Sequence, residues 1–244
     1  MSADANQAAY ISPGAAVART AIVHAGAWIG PGVELEADVV VGPGAVVGYS
    51  AGEASGPVRV GAGTKLGPNV CVEPATEIGP KCTVGAASIL RAGTHLEQGV
   101  SAGILCTLMG HCRVGEYACL YSEVHICEFA TLGPHCQLMP GSMLLNQPYP
   151  PTGLSVAGPV IGQCAIIGSR SLIWPGVKLG HHAMVATISE VKQDVPDYTL
   201  VRGRPAKPIC DVRRIRTKAG DEWVYPYPWM RHNIPGEDIT RPAS

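Results

Sequence analysis

The chain has 244 residues, 15% of them charged, and a formal net charge of −1. That length suits one or two domains, and the near-neutral charge gives no electrostatic case for nucleic acid. No apolar stretch approaches ~20 residues, so no membrane-spanning helix is expected; nor do the first twenty residues show the basic start and apolar run of a secretory signal. With nine cysteines and no such signal, the expectation is a cytoplasmic protein with reduced thiols.

From Ile11 onward, apolar residues recur every six positions: Ile11, Val17, Val23, Ile29, Leu35, Val41 and Val47. The frame slips by one residue across GYSAGEASGPVR and resumes at Val60. From there to Leu144, fourteen of fifteen sixth positions are Val, Ile or Leu, although these residues make up only about a quarter of the chain. Two residues before each stands a small or β-branched residue, such as Thr64, Val70, Cys82, Ser88, Cys106, Cys112 or Cys136. A glycine often follows, as at Gly61, Gly67, Gly79, Gly85, Gly103, Gly115 and Gly133. A second slip, across LNQPYPPTGLSVAGP, precedes a last run from Ile161 to Val191.

A helix would repeat near 3.6 and a simple strand at 2. Period six, with two inward positions per repeat, predicts a short strand and a turn, three such units to a closed coil, and coils stacked at ~4.8 Å. Large inward residues fill a narrow prism, and the following glycine suits the corner backbone. The prediction is an all-β prism over residues 1–196, a loop projecting at about 145–160 that carries Pro148, Pro150, Pro151 and Pro159, and an extension over 197–244.

The stretch GHCRVGEYACLYSEVHICEFATLGPHC gathers three histidines and four cysteines. On the six-residue frame Cys82, Cys106, Cys112 and Cys136 point inward as small fillers. Cys82 and Cys136 lie three coils apart, roughly 14 Å at the strand spacing. His111 and His135 fall on different faces, so no metal site is expected. GPGAVVG and GAGTKLG follow the same frame and are not dinucleotide fingerprints, which need a strand before and a helix after.

These repeats resemble the hexapeptide-repeat acyltransferases over roughly residues 11 to 209. The resemblance implies a left-handed parallel β-helix, an acetyl-CoA or other acyl-CoA co-substrate, no metal, and a homotrimer with active sites in clefts between subunits. The segment running through PGSM to Leu145-Asn146 is similar to a subfamily that N-acetylates nucleotide-linked amino sugars, with Ser122-Glu123 in place of an Asn-rich corner. On this reading His125, outward and with an ordinary pKa of ~6.5, is a candidate base. Glu123, two residues earlier on the same outward side, orients it or acts alone. Asn146 and His135 are candidate substrate ligands. His111, His181 and His182 occupy turn positions, and Cys119 is outward but needs an activated thiolate to serve as a nucleophile.

VKQDVPDYTLVRGRPAKPI resembles the family's closing motif and implies Arg202, Arg204 and Lys207 at the nucleotide phosphates. Ala186 opens a corner, Ala186-Thr187-Ile188-Ser189, where relatives have Gly-Ala-Gly-Ser, and Ile188 narrows the pantetheine path. VRRIRTKAGDEWVYPY reads as a β-hairpin about an Ala-Gly turn, with a tail after it. The expected activity is acyl-CoA-dependent N-acetylation of a nucleotide-linked amino sugar or related metabolite. The alternatives are O-acetylation of a hydroxyl, a γ-class carbonic anhydrase-like metalloenzyme, and a non-catalytic trimeric scaffold.

Overall fold

The computed structural model describes residues 8–49, 52, 54–148, 157–216, 224 and 225. From Tyr10–Ile11 to Glu190–Val191 the chain makes strands of two or three residues, and every third strand pairs in parallel with the one before. Three walls result. The first holds 10 strands, the second 9, and the third 11 including a terminal hairpin. The fold is the expected left-handed parallel β-helix.

The two inward residues of each repeat form one continuous core, with Ile29, Leu66, Leu90, Leu96, Leu108, Leu120, Ile126 and Leu138 fully buried along its length. Buried hydroxyls at the smaller inward position bridge successive coils. Ser88 Oγ donates to Gly103 O (3.0 Å) and accepts from Cys106 N–H (3.0 Å). Thr64 does the same between Gly79 O (2.8 Å) and Cys82 N–H (3.0 Å). The inward cysteines play the same part: the Cys82 thiol donates to Glu97 O at 3.0 Å and that of Cys106 to Tyr121 O at 3.1 Å. Burial pushes the Cys112 thiol up to about 11 and raises Cys136 further, so both stay neutral fillers.

The glycine after the large inward residue has a different reason from the expected one. Its φ is ordinary; the positive-φ position is two residues later, where Lys81, Leu105, His111, Tyr117, Glu123 and His135 have φ between 50° and 58° or, for Glu123, 62°. What requires glycine is the next coil. A Cβ on Gly85 would lie 2.4 Å from Gly103 C, and one on Gly61 would lie 2.6 Å from Pro80 N.

Both frame slips fall at the same corner, between the first and second walls. Val46 pairs with Cys71 and Met143 with Leu172, so these two coils are longer than their neighbours. The second excursion is closed at its base by Ala157 N–H donating to Asn146 O (3.1 Å). Its residues 149–156, Pro150 and Pro151 among them, lie outside the described residues.

An antiparallel hairpin that the alternation did not suggest precedes the expected one. Thr199–Gly203 joins the third wall beside Met184–Val185 and turns back at Arg204 and Pro205 into Ala206–Asp211. Val212–Arg214, where the hairpin was expected to begin, is a 3-10 turn capped by the Asp211 side chain. Of the expected second arm only Val224 and Tyr225 are described, with Val224 N–H donating to Ile215 O (2.9 Å); the tail 229–244 lies outside. Val212 and Tyr225 pack on Cys164 and Ile166, covering the outer face of the third wall at its last coils.

Replacing Gly85 by Ala forces two coil backbones apart. Thermal or denaturant unfolding should show a loss of about 3 kcal/mol or more, at or above the upper end of ordinary overpacking. Gly32→Ala, with nothing within 4 Å of the new Cβ, meets only backbone strain from its φ of +70° and should cost less.

Candidate functional site

The three walls differ in what they show outward. The second carries an ion-pair ladder. Arg59 lies 3.4 Å from Glu34 and 3.1 Å from Glu77, and Glu77 lies 2.9 Å from His95. The third is covered at its last coils by the residues after the hairpin and is otherwise exposed, as at Ile22, Lys65 and Thr83. The first carries a largely apolar row that includes Ile89, Met143 and Leu172, and Ile104, Leu105 and Tyr121 stand exposed on the approach to it.

His125 sits in the middle of this first wall, between Thr107 and Met143. Its backbone alternation turns the ring outward, and it is half-buried. The ring nitrogens make no hydrogen bond to another described residue. Burial disfavours the imidazolium and lowers the pKa from its ordinary value, so the ring is neutral at pH 7. Glu123 is not on the wall beside it. It occupies the preceding corner at φ 62° with an exposed side chain, and no side-chain contact joins it to His125.

Asn146 lies at the opposite edge of the same wall, where its Nδ2 donates to Glu128 Oε2 at 3.3 Å. His135 is elsewhere: it is buried at the corner between the second and third walls, stacked on Tyr117 with ring centroids 5.3 Å apart. The structure therefore brings His125 to one wall, with Glu123 and Asn146 at its two edges, and leaves His135 apart.

The four residues expected near the cofactor do come together. Arg202 faces Lys207 across the hairpin, and both are exposed. Arg204 Nε donates to Ile188 O at 3.2 Å, and Ala186 N–H donates to Val201 O at 2.9 Å. Two like charges opposed on adjacent strands repel unless an anion sits with them. Ile188, 56% exposed, stands at the corner beneath Arg204.

One feature has no counterpart in the sequence reading. At the corner between the first and second walls, Glu73, Arg91, Met109, His111 and Glu128 line a cleft of about 190 Å³, bordered by Gly52 and Ala54 of the first excursion. The signal was present: both slips of the six-residue frame follow a first-wall strand.

A family model described as the hexapeptide repeat of succinyl-transferase matches residues 57–92. The match makes those residues similar to that repeat family and covers a small part of the chain. The chain is 48% identical over 50 residues to a chloramphenicol acetyltransferase of Escherichia coli, covering 20% of this chain and 24% of that one. It is 27% identical over 136 residues to the bifunctional protein GlmU of Bartonella bacilliformis, covering 56% of this chain and 29% of GlmU. It thus spans less than a third of these relatives. The structure of LpxA, a UDP-N-acetylglucosamine acyltransferase from Bacteroides fragilis, superposes with a TM-score of 0.53 at 17% identity, covering 82% of this chain and 73% of that one. That likeness shows the fold.

The lowered pKa of His125 has a measurable sign. The folded chain binds this proton less readily than the unfolded chain, so its contribution to stability is present above ~6.5 and is lost as pH falls through the unfolded and then the folded value. NMR titration should find His125 midway below the ordinary ~6.5, and His125→Asn should flatten that part of the stability–pH curve.

Proposed function

We propose that this protein is an acyl-CoA-dependent acyltransferase that acylates an amino group of a small metabolite, with a nucleotide-linked amino sugar as the favoured acceptor. The observation that carries the reading is His125: a neutral, half-buried imidazole on an outward wall, with no hydrogen bond to another described residue to occupy it. The acetyltransferase names of the relatives support the same reaction class.

In this reaction the acceptor nitrogen attacks the thioester carbonyl carbon, and His125 takes the N–H proton as the C–N bond forms. The C–S bond then breaks, and the thiolate leaves and takes up that proton. No covalent enzyme intermediate is needed. Cys119 and Cys127, the thiols closest to His125 in sequence, are both raised by burial and are poor thiolates. Arg202, Arg204 and Lys207 hold the cofactor phosphates, charge-assisted contacts that also relieve the mutual repulsion of Arg202 and Lys207. From Ala186 and Ile188 the corner descends past Arg170 and Gly141 to Glu123 over three coils, roughly 14 Å, a path suited to an extended pantetheine arm. Glu123, at its foot, is the second group able to take a proton, and Asn146 contacts the acceptor from the far edge.

We further propose a homotrimer in which a neighbour covers the apolar first wall and completes the cleft. The ion-paired second wall, with half-exposed partners, is suited to remain in water. The nine free thiols fit the reducing cytoplasm.

His125→Ala should lower kcat by about 10²–10⁴, the usual worth of a general base, and abolish the acid limb of the rate profile. Arg202→Ala with Lys207→Ala should raise KM for acetyl-CoA while leaving kcat nearly intact. Calorimetry that detects no acetyl-CoA binding at millimolar ligand would remove the acyltransferase reading altogether.

A further inference from the structure

The cleft at the corner between the first and second walls is set between the only two places where the repeat frame breaks among the described residues. The first excursion borders it through Gly52 and Ala54. The base of the second begins at Asn146, whose amide touches Glu128. Between them run the corners of successive coils, which carry Glu73, Arg91, Met109, His111 and Glu128.

The charges in this cleft are not equivalent. Glu73 is fully engaged: its Oε1 lies 3.4 Å from Arg91 Nε, and its Oε2 accepts from Ala92 N–H at 3.1 Å. Arg91 is thereby spent on Glu73. Among the described residues Glu128 has no such partner, and the one described group that reaches it is the neutral Asn146 amide at 3.3 Å. The cleft therefore keeps one uncompensated carboxylate at its edge. Beside it lies apolar surface: the Met109 side chain, and the His111 ring stacked on Phe129 with centroids 5.3 Å apart. The stack is held down from below, since a Cβ on Gly93 would come within 2.6 Å of His111 Nδ1.

We propose that this cleft binds a small ligand through a protonated amine, with Glu128 as its counter-charge and the Met109, His111 and Phe129 surface against its carbon skeleton. A cation placed there completes the charge pairing that the protein leaves open, and an ammonium donates to a carboxylate in the strongest class of hydrogen bond. An anion would meet Glu128 and find Arg91 already paired. That the ligand is also the acyl acceptor rests on the acyltransferase reading, in which the ammonium first gives up one proton to solvent and then attacks as the free amine; the binding itself does not.

The test uses the full chain without acyl-CoA and two matched pairs that differ by an amine against a hydroxyl: UDP-glucosamine with UDP-glucose, and D-glucosamine with D-glucose. Calorimetry or ligand-observed NMR at pH 7 should show the amine member of at least one pair binding tenfold or more tightly. Glu128→Gln, which keeps shape and loses charge, should erase that preference while its melting temperature stays near that of the parent chain. Equal affinity within both pairs, absence of binding by either amine, or a preference that survives Glu128→Gln would each overturn the proposal. If the preference appears as expected but acetyl-CoA binds nowhere on the chain, the amine site stands and the acyltransferase reading alone fails.

Discussion

Everything in this molecule follows from the distance between one coil and the next, about 4.8 Å as in any sheet. Outside the two longer coils, each side chain has its 18-residue neighbour directly above it. At the inward positions this spacing leaves room for one large and one small side chain per repeat and for no ligand. Where two coil backbones pass closest, it leaves no room for a Cβ at all, which is why Gly61 and Gly85 are glycine. Buried hydroxyls are placed where they can bond to the coil next door. The Ser88 and Thr64 hydroxyls do so, and the Cys82 and Cys106 thiols follow the same geometry with a weaker donor.

The same stacking sorts the outside. Charges aligned at that spacing must alternate or repel, and Glu34, Arg59 and Glu77 alternate, with the His95 ring 2.9 Å from Glu77 on the next coil. Flat rings gain from stacking, and the corner columns use them: His111 on Phe129, Tyr117 on His135, His182 on Tyr198. In the first two columns the position one coil below is glycine, Gly93 and Gly99, so that the ring can lie down over it. Such columns account structurally for histidines that catch the eye in the sequence. His125 escapes that account because it lies on a wall, not a corner, and its ring stacks on no other described ring.

The hexad frame made the fold legible, and with it the inward cysteines, since a strict period assigns every residue to a face. The left hand was not in the period; it entered through the resemblance. Glu123 was misjudged because counting two residues back from His125 as along a straight strand ignores that these strands are two residues long and that position 123 is already in the turn. The hairpin Thr199–Asp211 was not legible because Gly203-Arg204-Pro205-Ala206, although made of good turn residues, reads as a cofactor motif. The corner cleft was invisible because its lining comes from separate coils: Glu73, Arg91, Met109 and Glu128 are a coil apart or nearly so, and no local window contains two of them.

A prism with no interior gains specificity only by what it adds at its edges, and a corner is where an addition costs least. An insertion there lengthens a turn and leaves the ladder above and below intact, as the pairing of Val46 with Cys71 and of Met143 with Leu172 demonstrates. An insertion within a wall would break three strands' register at once. Two insertions at one corner, a few coils apart, turn a flat edge into a trough with two ends. The first wall then has a trough on one edge and, on the other, the corner that climbs to the basic hairpin, with His125 midway between. On the proposed reading, a two-substrate reaction needs two such approaches meeting at one proton acceptor, and the first wall is the face suited to both.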